Sequence, residues 1–87
     1  IAGYALLTHM IAQVCKLKVG YLTISFGDAH VYLNHFDQVD EQLFRRPMKP
    51  PKLWLNPEID DIDKFGFEDI KIEGYESYPA IKAEVAV

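Results

Sequence analysis

The first fifteen residues constrain the fold more than any other stretch. Tyr4, Leu7, Ile11 and Val14 recur at helical spacing, and Ile1, Ala5, Leu6, Met10 and Cys15 widen the apolar surface nearly all round. A helix apolar on most sides belongs in the middle of a domain, covered from every direction. The chain has 87 residues, 49% of them hydrophobic and 13% aromatic. A chain of that length buries roughly 60–65% of its unfolded surface, which is too little to wrap such a helix and bury the other apolar side chains as well. One small domain at most is expected, carrying apolar surface meant for more protein. The apolar run is broken by Thr8, His9 and Gln13 and is too short to span a bilayer. It also lacks the basic start and small-residue cleavage site of a secretion signal. The chain opens without Met and in mid-helix pattern, so a truncated, processed or partial chain is expected.

The remaining punctuation predicts an order of elements. Lys16 and Lys18 stand where cations favour a helix C-terminus, and Gly20 is expected to end the turn. Tyr21 to Phe26 has the β-branched and aromatic content of a strand, with Leu22, Ile24 and Phe26 on one face. Gly27-Asp28 breaks it, and Ala29 to Tyr32 is expected to continue extended, with Val31 facing the core. A second helix is predicted from about Leu33 to Phe44, with Leu33, Phe36, Val39 and Leu43 as a narrow apolar stripe. Pro47, Pro50 and Pro51 then force an extended connector. Lys52 to Leu55 reads as a brief strand stopped by Asn56-Pro57. Ile59, Ile62 and Phe65 suggest a short acidic helix ended by Gly66. Phe67 to Glu73 alternates apolar and charged residues as a half-exposed strand does, with Asp69 out of phase. An aromatic loop, Tyr75 to Pro79, leads into an extended apolar tail, Ala80 to Val87.

The chemistry gathers in one place. Gly27-Asp28-Ala29-His30-Val31-Tyr32-Leu33-Asn34-His35 packs two imidazoles, a phenol, a carboxylate and a carboxamide into nine residues. In an extended segment residues two apart point the same way, so His30 and Tyr32 project together. Two readings stand on the residues alone: a pair aimed at one small polar group of a ligand, or a structural His beside a Tyr whose hydroxyl bonds backbone. His9 and His35 lie in helical patterns and read as structural. Cys15 reads as a core thiol, with neither a nearby His nor a helix N-terminus to lower its pKa. Asp60, Asp61 and Asp63 read as a solvated face, since their spacing is not that of a calcium loop. Arg45 and Arg46 read as a surface helix end.

Several classes are disfavoured. Nine basic against thirteen acidic residues give a net charge of −4, without the basic stripe that nucleic-acid phosphates require. One cysteine allows no internal disulfide, suits a reducing, cytoplasmic setting, and belongs to no zinc-like spacing. No metal, membrane or nucleic-acid partner is expected. No nucleophile–base pair or phosphate-cradling loop can be assembled from these residues.

Longer blocks carry more. Ile1-Ala2-Gly3-Tyr4-Ala5-Leu6-Leu7-Thr8-His9-Met10, Gly27 to His35, Phe67-Glu68-Asp69, Glu73-Gly74-Tyr75 and Pro79-Ala80-Ile81-Lys82-Ala83-Glu84-Val85-Ala86-Val87 resemble the last third of thymidylate synthase, in that family's order. The resemblance implies an α/β (α+β mixed) fold with helices packed on a mixed sheet, residues 1–87 forming the C-terminal part of a single domain. It implies a homodimeric enzyme that methylates dUMP to dTMP with 5,10-methylenetetrahydrofolate, leaving dihydrofolate. On the matching motif, His30 and Tyr32 would bond the deoxyribose 3′-hydroxyl. Val85, Ala86 and Val87 would close over the folate, with Ala86 the direct contact. The family's nucleophilic cysteine, phosphate-binding arginines and pyrimidine-reading asparagine all fall upstream of Ile1, so this piece alone is expected to be inactive and Cys15 is not the nucleophile. Gly3 stands where Ser is common, and Glu76-Ser77-Tyr78 departs from the family's Asp-Pro-His loop. Two alternatives remain open: part of a nucleotide hydroxymethyltransferase, or a non-catalytic fragment that acts by association.

Overall fold

The computed structural model describes residues 1–85. Helix α1 spans Ala2–Val14 and α2 spans Phe36–Phe44, the latter led by a 3₁₀ turn over Leu33–His35. Strands β1 (Lys52–Leu55) and β2 (Ile70–Glu73) pair antiparallel, with Leu53 opposite Ile72 and Leu55 opposite Ile70. Those four apolar side chains share one face of the ribbon. On the other face, the Lys71 ammonium lies 4.9 Å from the centre of the Trp54 ring, opposite its own cross-strand partner.

Helix α1 ends in a Schellman turn. Lys16 N–H donates to the Gln13 carbonyl, Leu17 N–H donates to the Ala12 carbonyl, and Lys16 takes a left-handed φ of 55°. The chain thus reverses four residues before Gly20, using a lysine where glycine is the easier residue. The Gln13 amide then ties α1 to the turn beyond β1, donating to the carbonyls of Asn56 and Ile59 at 2.8 and 2.9 Å. Asn56 organises that turn. Its side chain donates to Asp69 Oδ1 at 2.7 Å and accepts from Glu58 N–H, while its backbone N–H donates to the Asp69 carbonyl.

Five expectations are corrected. Tyr21 to Phe26 has no ladder partner among the described residues and is not a strand, because a strand exists by pairing its backbone groups with a neighbour. Phe67–Asp69 is a 3₁₀ turn, and only Ile70–Glu73 is strand. The cause is Asp69, which accepts from Gly66 N–H at 2.8 Å and so curls the chain where alternation predicted extension. The acidic helix shrinks to a 3₁₀ turn at Ile62–Lys64, capped by Asp61 accepting from Asp63 N–H. Cys15 is exposed at the C-cap of α1, not a core thiol, and Val31 is half exposed.

The last correction follows from a larger feature. Ala12 is the one buried hydrophobic residue among those described, while Tyr4 on the apolar helix is 69% exposed. The accessible surface is 8190 Å², against about 5,200 Å² for a compact protein of this mass. The radius of gyration is 17.0 Å, against about 12 Å for an 87-residue domain. Between α1 and the apolar face of the ribbon lies a groove of about 350 Å³ lined by Ala2, Ala5, Leu6, Leu53, Ile70 and Ile72. The elements therefore hold one another through a few side-chain hydrogen bonds and one ribbon, and not around a core of their own.

Candidate functional site

Gly27 and Asp28 bend the chain out of its extended run, and residues 29–32 continue without ladder pairing up to the 3₁₀ turn that leads α2. Tyr32 itself is extended, with φ −68° and ψ 144°. The alternation expected there holds: the His30 and Tyr32 rings lie side by side with centroids 5.4 Å apart. A third ring joins them, since His35 at the end of the 3₁₀ turn lies 5.4 Å from Tyr32 at a 59° tilt. With Val31 and Val39 these rings line an open hollow of about 370 Å³. Asp28 Oδ1 stands 3.4 Å from His30 Nδ1, and both side chains are largely exposed, so the pair orients the imidazole weakly.

The chain end runs back along α2 in the opposite direction. Arg45 Nη1 donates to the Pro79 carbonyl at 2.7 Å, Gln38 Nε2 to the Lys82 carbonyl at 3.3 Å, and Asn34 Nδ2 to the Glu84 carbonyl at 3.3 Å. His35 Nε2 shares that last acceptor. A carbonyl only accepts, so His35 carries its proton on Nε2. Arg45 is further held by Glu41 at 2.8 Å and covers the Tyr78 ring at 5.3 Å. Its guanidinium is engaged within the fold, more deeply than a surface helix end would be. Tail and ring cluster thus meet at His35. Val85, the next residue, is 78% exposed. Ala86 and Val87, expected to share its covering role, lie outside the described residues.

The side-by-side placement of the His30 and Tyr32 rings follows from their spacing. The tail-holding residues Asn34, Gln38 and Arg45 recur at i, i+4 and i+11, with Glu41, which holds Arg45, at i+7, and so mark one polar stripe. The apolar positions Leu33, Phe36 and Leu43 are all exposed in this chain. Among the described residues no three His, Cys, Asp or Glu side chains gather in a way that could hold a metal ion, and no helix is long and apolar enough to cross a membrane.

Comparison with known proteins covers the whole chain. A family model described as thymidylate synthase matches residues 1–87. Among solved structures, the thermostable thymidylate synthase A from Bacillus subtilis superposes with a TM-score of 0.90 at 38% identity, over 97% of this chain. The match takes in 30% of the Bacillus chain, so the present chain spans less than a third of that enzyme's length.

Proposed function

The chain belongs to the thymidylate synthase family, and from that premise we propose that it is the C-terminal portion of a thymidylate synthase domain, supplying a sugar clamp and a lid to an active site completed by the upstream part of the enzyme. In this reading the enzyme is a homodimer that methylates dUMP to dTMP. The observation that carries it is the His30–Tyr32 ring pair beside a tail strapped to α2. An imidazole nitrogen and a phenol hydroxyl on neighbouring rings suit a sugar hydroxyl, which donates one hydrogen bond and accepts others.

The folate partner fits what the chain offers on that side. Methylenetetrahydrofolate supplies the one-carbon unit and its reduction. The residues here supply none of that chemistry. Val85 is an exposed apolar side chain directly beyond the held Glu84 carbonyl, and Val85, Ala86 and Val87 form a short apolar cover. Such a cover excludes water from the reacting pair and strengthens every polar interaction beneath it. The large apolar surface of α1 and the ribbon is, in this reading, the surface that meets the rest of the enzyme.

Mixing this chain with the upstream portion of the enzyme and assaying dTMP formation tests the proposal. Neither part is expected to turn over alone, and the soluble assembled mixture is expected to do so. A soluble, assembled but inactive mixture would favour a fragment that acts by association only.

A further inference from the structure

We propose that His35 is a positioning residue that ties the C-terminal tail to the sugar clamp, so that the segment beyond Glu84 starts from one fixed place. The proposal rests on the lid reading above and adds a residue to it. His35 touches both parts: its ring packs against Tyr32 at 5.4 Å and its Nε2–H bonds the Glu84 carbonyl. It is half-buried, whereas His30 and Tyr32 are exposed, and it sits in the turn where the chain enters α2. Asn34 Nδ2 approaches the same carbonyl from the preceding residue. Gln38 and Arg45 hold the tail upstream at Lys82 and Pro79. Among the described residues the series of side-chain holds on the tail therefore ends at Glu84, just before the proposed cover begins, and it ends on a ring already packed at a tilt against the clamp.

Position matters here because closure must bring apolar atoms to within contact distance of a ligand. Misplacing a group by about 1 Å can cost on the order of a hundredfold in rate. A tail released from His35 would still close, but from a spread of starting places.

The test uses the complete enzyme carrying this segment, with dUMP and methylenetetrahydrofolate as ligands and carboxypeptidase Y as a probe of the tail. His35→Phe keeps a ring against Tyr32 and removes the donor. His35→Gln restores a donor near the position of Nε2. The Phe variant is expected to lose about tenfold to a hundredfold in kcat with dUMP affinity near that of the parent. Carboxypeptidase should pass Glu84 in that variant and stop there in the parent. The Gln variant should resemble the parent in all three measurements. His35→Ala serves the same purpose if the Phe ring is not accommodated. Parental turnover in the donor-less variants overturns the proposal, as does a loss shared by Gln with dUMP affinity falling in parallel. Deleting Val87 separates the two readings. Unchanged turnover on that deletion removes the lid alone, and the carboxypeptidase boundary in the His35 variants then decides the tether.

Discussion

His30 and Tyr32 owe their shared direction to one backbone property, the two-residue repeat of an extended chain. Their rings stand 5.4 Å apart, and among the described residues neither His30 Nε2 nor the Tyr32 hydroxyl has a hydrogen-bond partner, while Asp28 lies 3.4 Å from His30 Nδ1. In the complete enzyme, His30→Ala or Tyr32→Phe should each weaken nucleotide binding by about 1–2 kcal/mol, the scale of one hydrogen bond in a site, or roughly five- to thirtyfold in Kd. Calorimetric titration with dUMP measures this, and unchanged affinity in both variants would refute the clamp. A different residue carries the pH dependence of the turn beside β2. The Asn56 amide first, and Gly66 N–H second, hold the Asp69 carboxyl below the ordinary carboxylate range, against a smaller opposing effect of burial. A carboxyl depressed on folding stabilises the folded state fully above its unfolded pKa, and that contribution fades as pH falls through the lower folded value. Thermal melts of the complete enzyme should therefore fall less steeply below about pH 4 for Asp69→Asn than for the parent. Parallel curves would show that the carboxylate is not the group responsible.

At the scale of elements, α2 and the tail form one device. Four side chains from the helix and its leading turn reach carbonyls spread over Pro79 to Glu84. Because these holds stop short of the proposed cover, shortening the cover should leave the strap in place. Removing Val87 is expected to cut turnover far more than nucleotide affinity, since closure is damaged and sugar contacts are not. Equal activity in the shortened enzyme would end the lid assignment. The same pairing explains what could be read from the sequence. Lys52–Leu55 was legible because Pro51 and Asn56-Pro57 bracket a short apolar run. The span of α1 was legible from its apolar spacing. The strand expected over Tyr21 to Phe26 was not, because pairing depends on a neighbour that local pattern does not supply. Asp69 broke the alternation of Phe67 to Glu73 visibly, but only the Gly66 and Asn56 bonds reveal a turn there.

For the whole molecule, the deciding quantity is surface. At 8190 Å² the chain exposes over half as much again as a compact protein of its mass, and the apolar helix that should lie in a domain's middle stands largely bare. The apolar count of the sequence foretold that imbalance. It did not foretell which elements would still hold together, because the bonds that do so run from Gln13 to Asn56 and Ile59 and from α2 to the tail, between residues far apart in the chain. The strap has one more consequence. Each of its four anchors grips a carbonyl oxygen, a group every amino acid possesses, and none grips the side chain of Lys82 or Glu84. Substitutions at Lys82 or Glu84 that keep the backbone path therefore leave all four bonds in place, whatever side chain they bring.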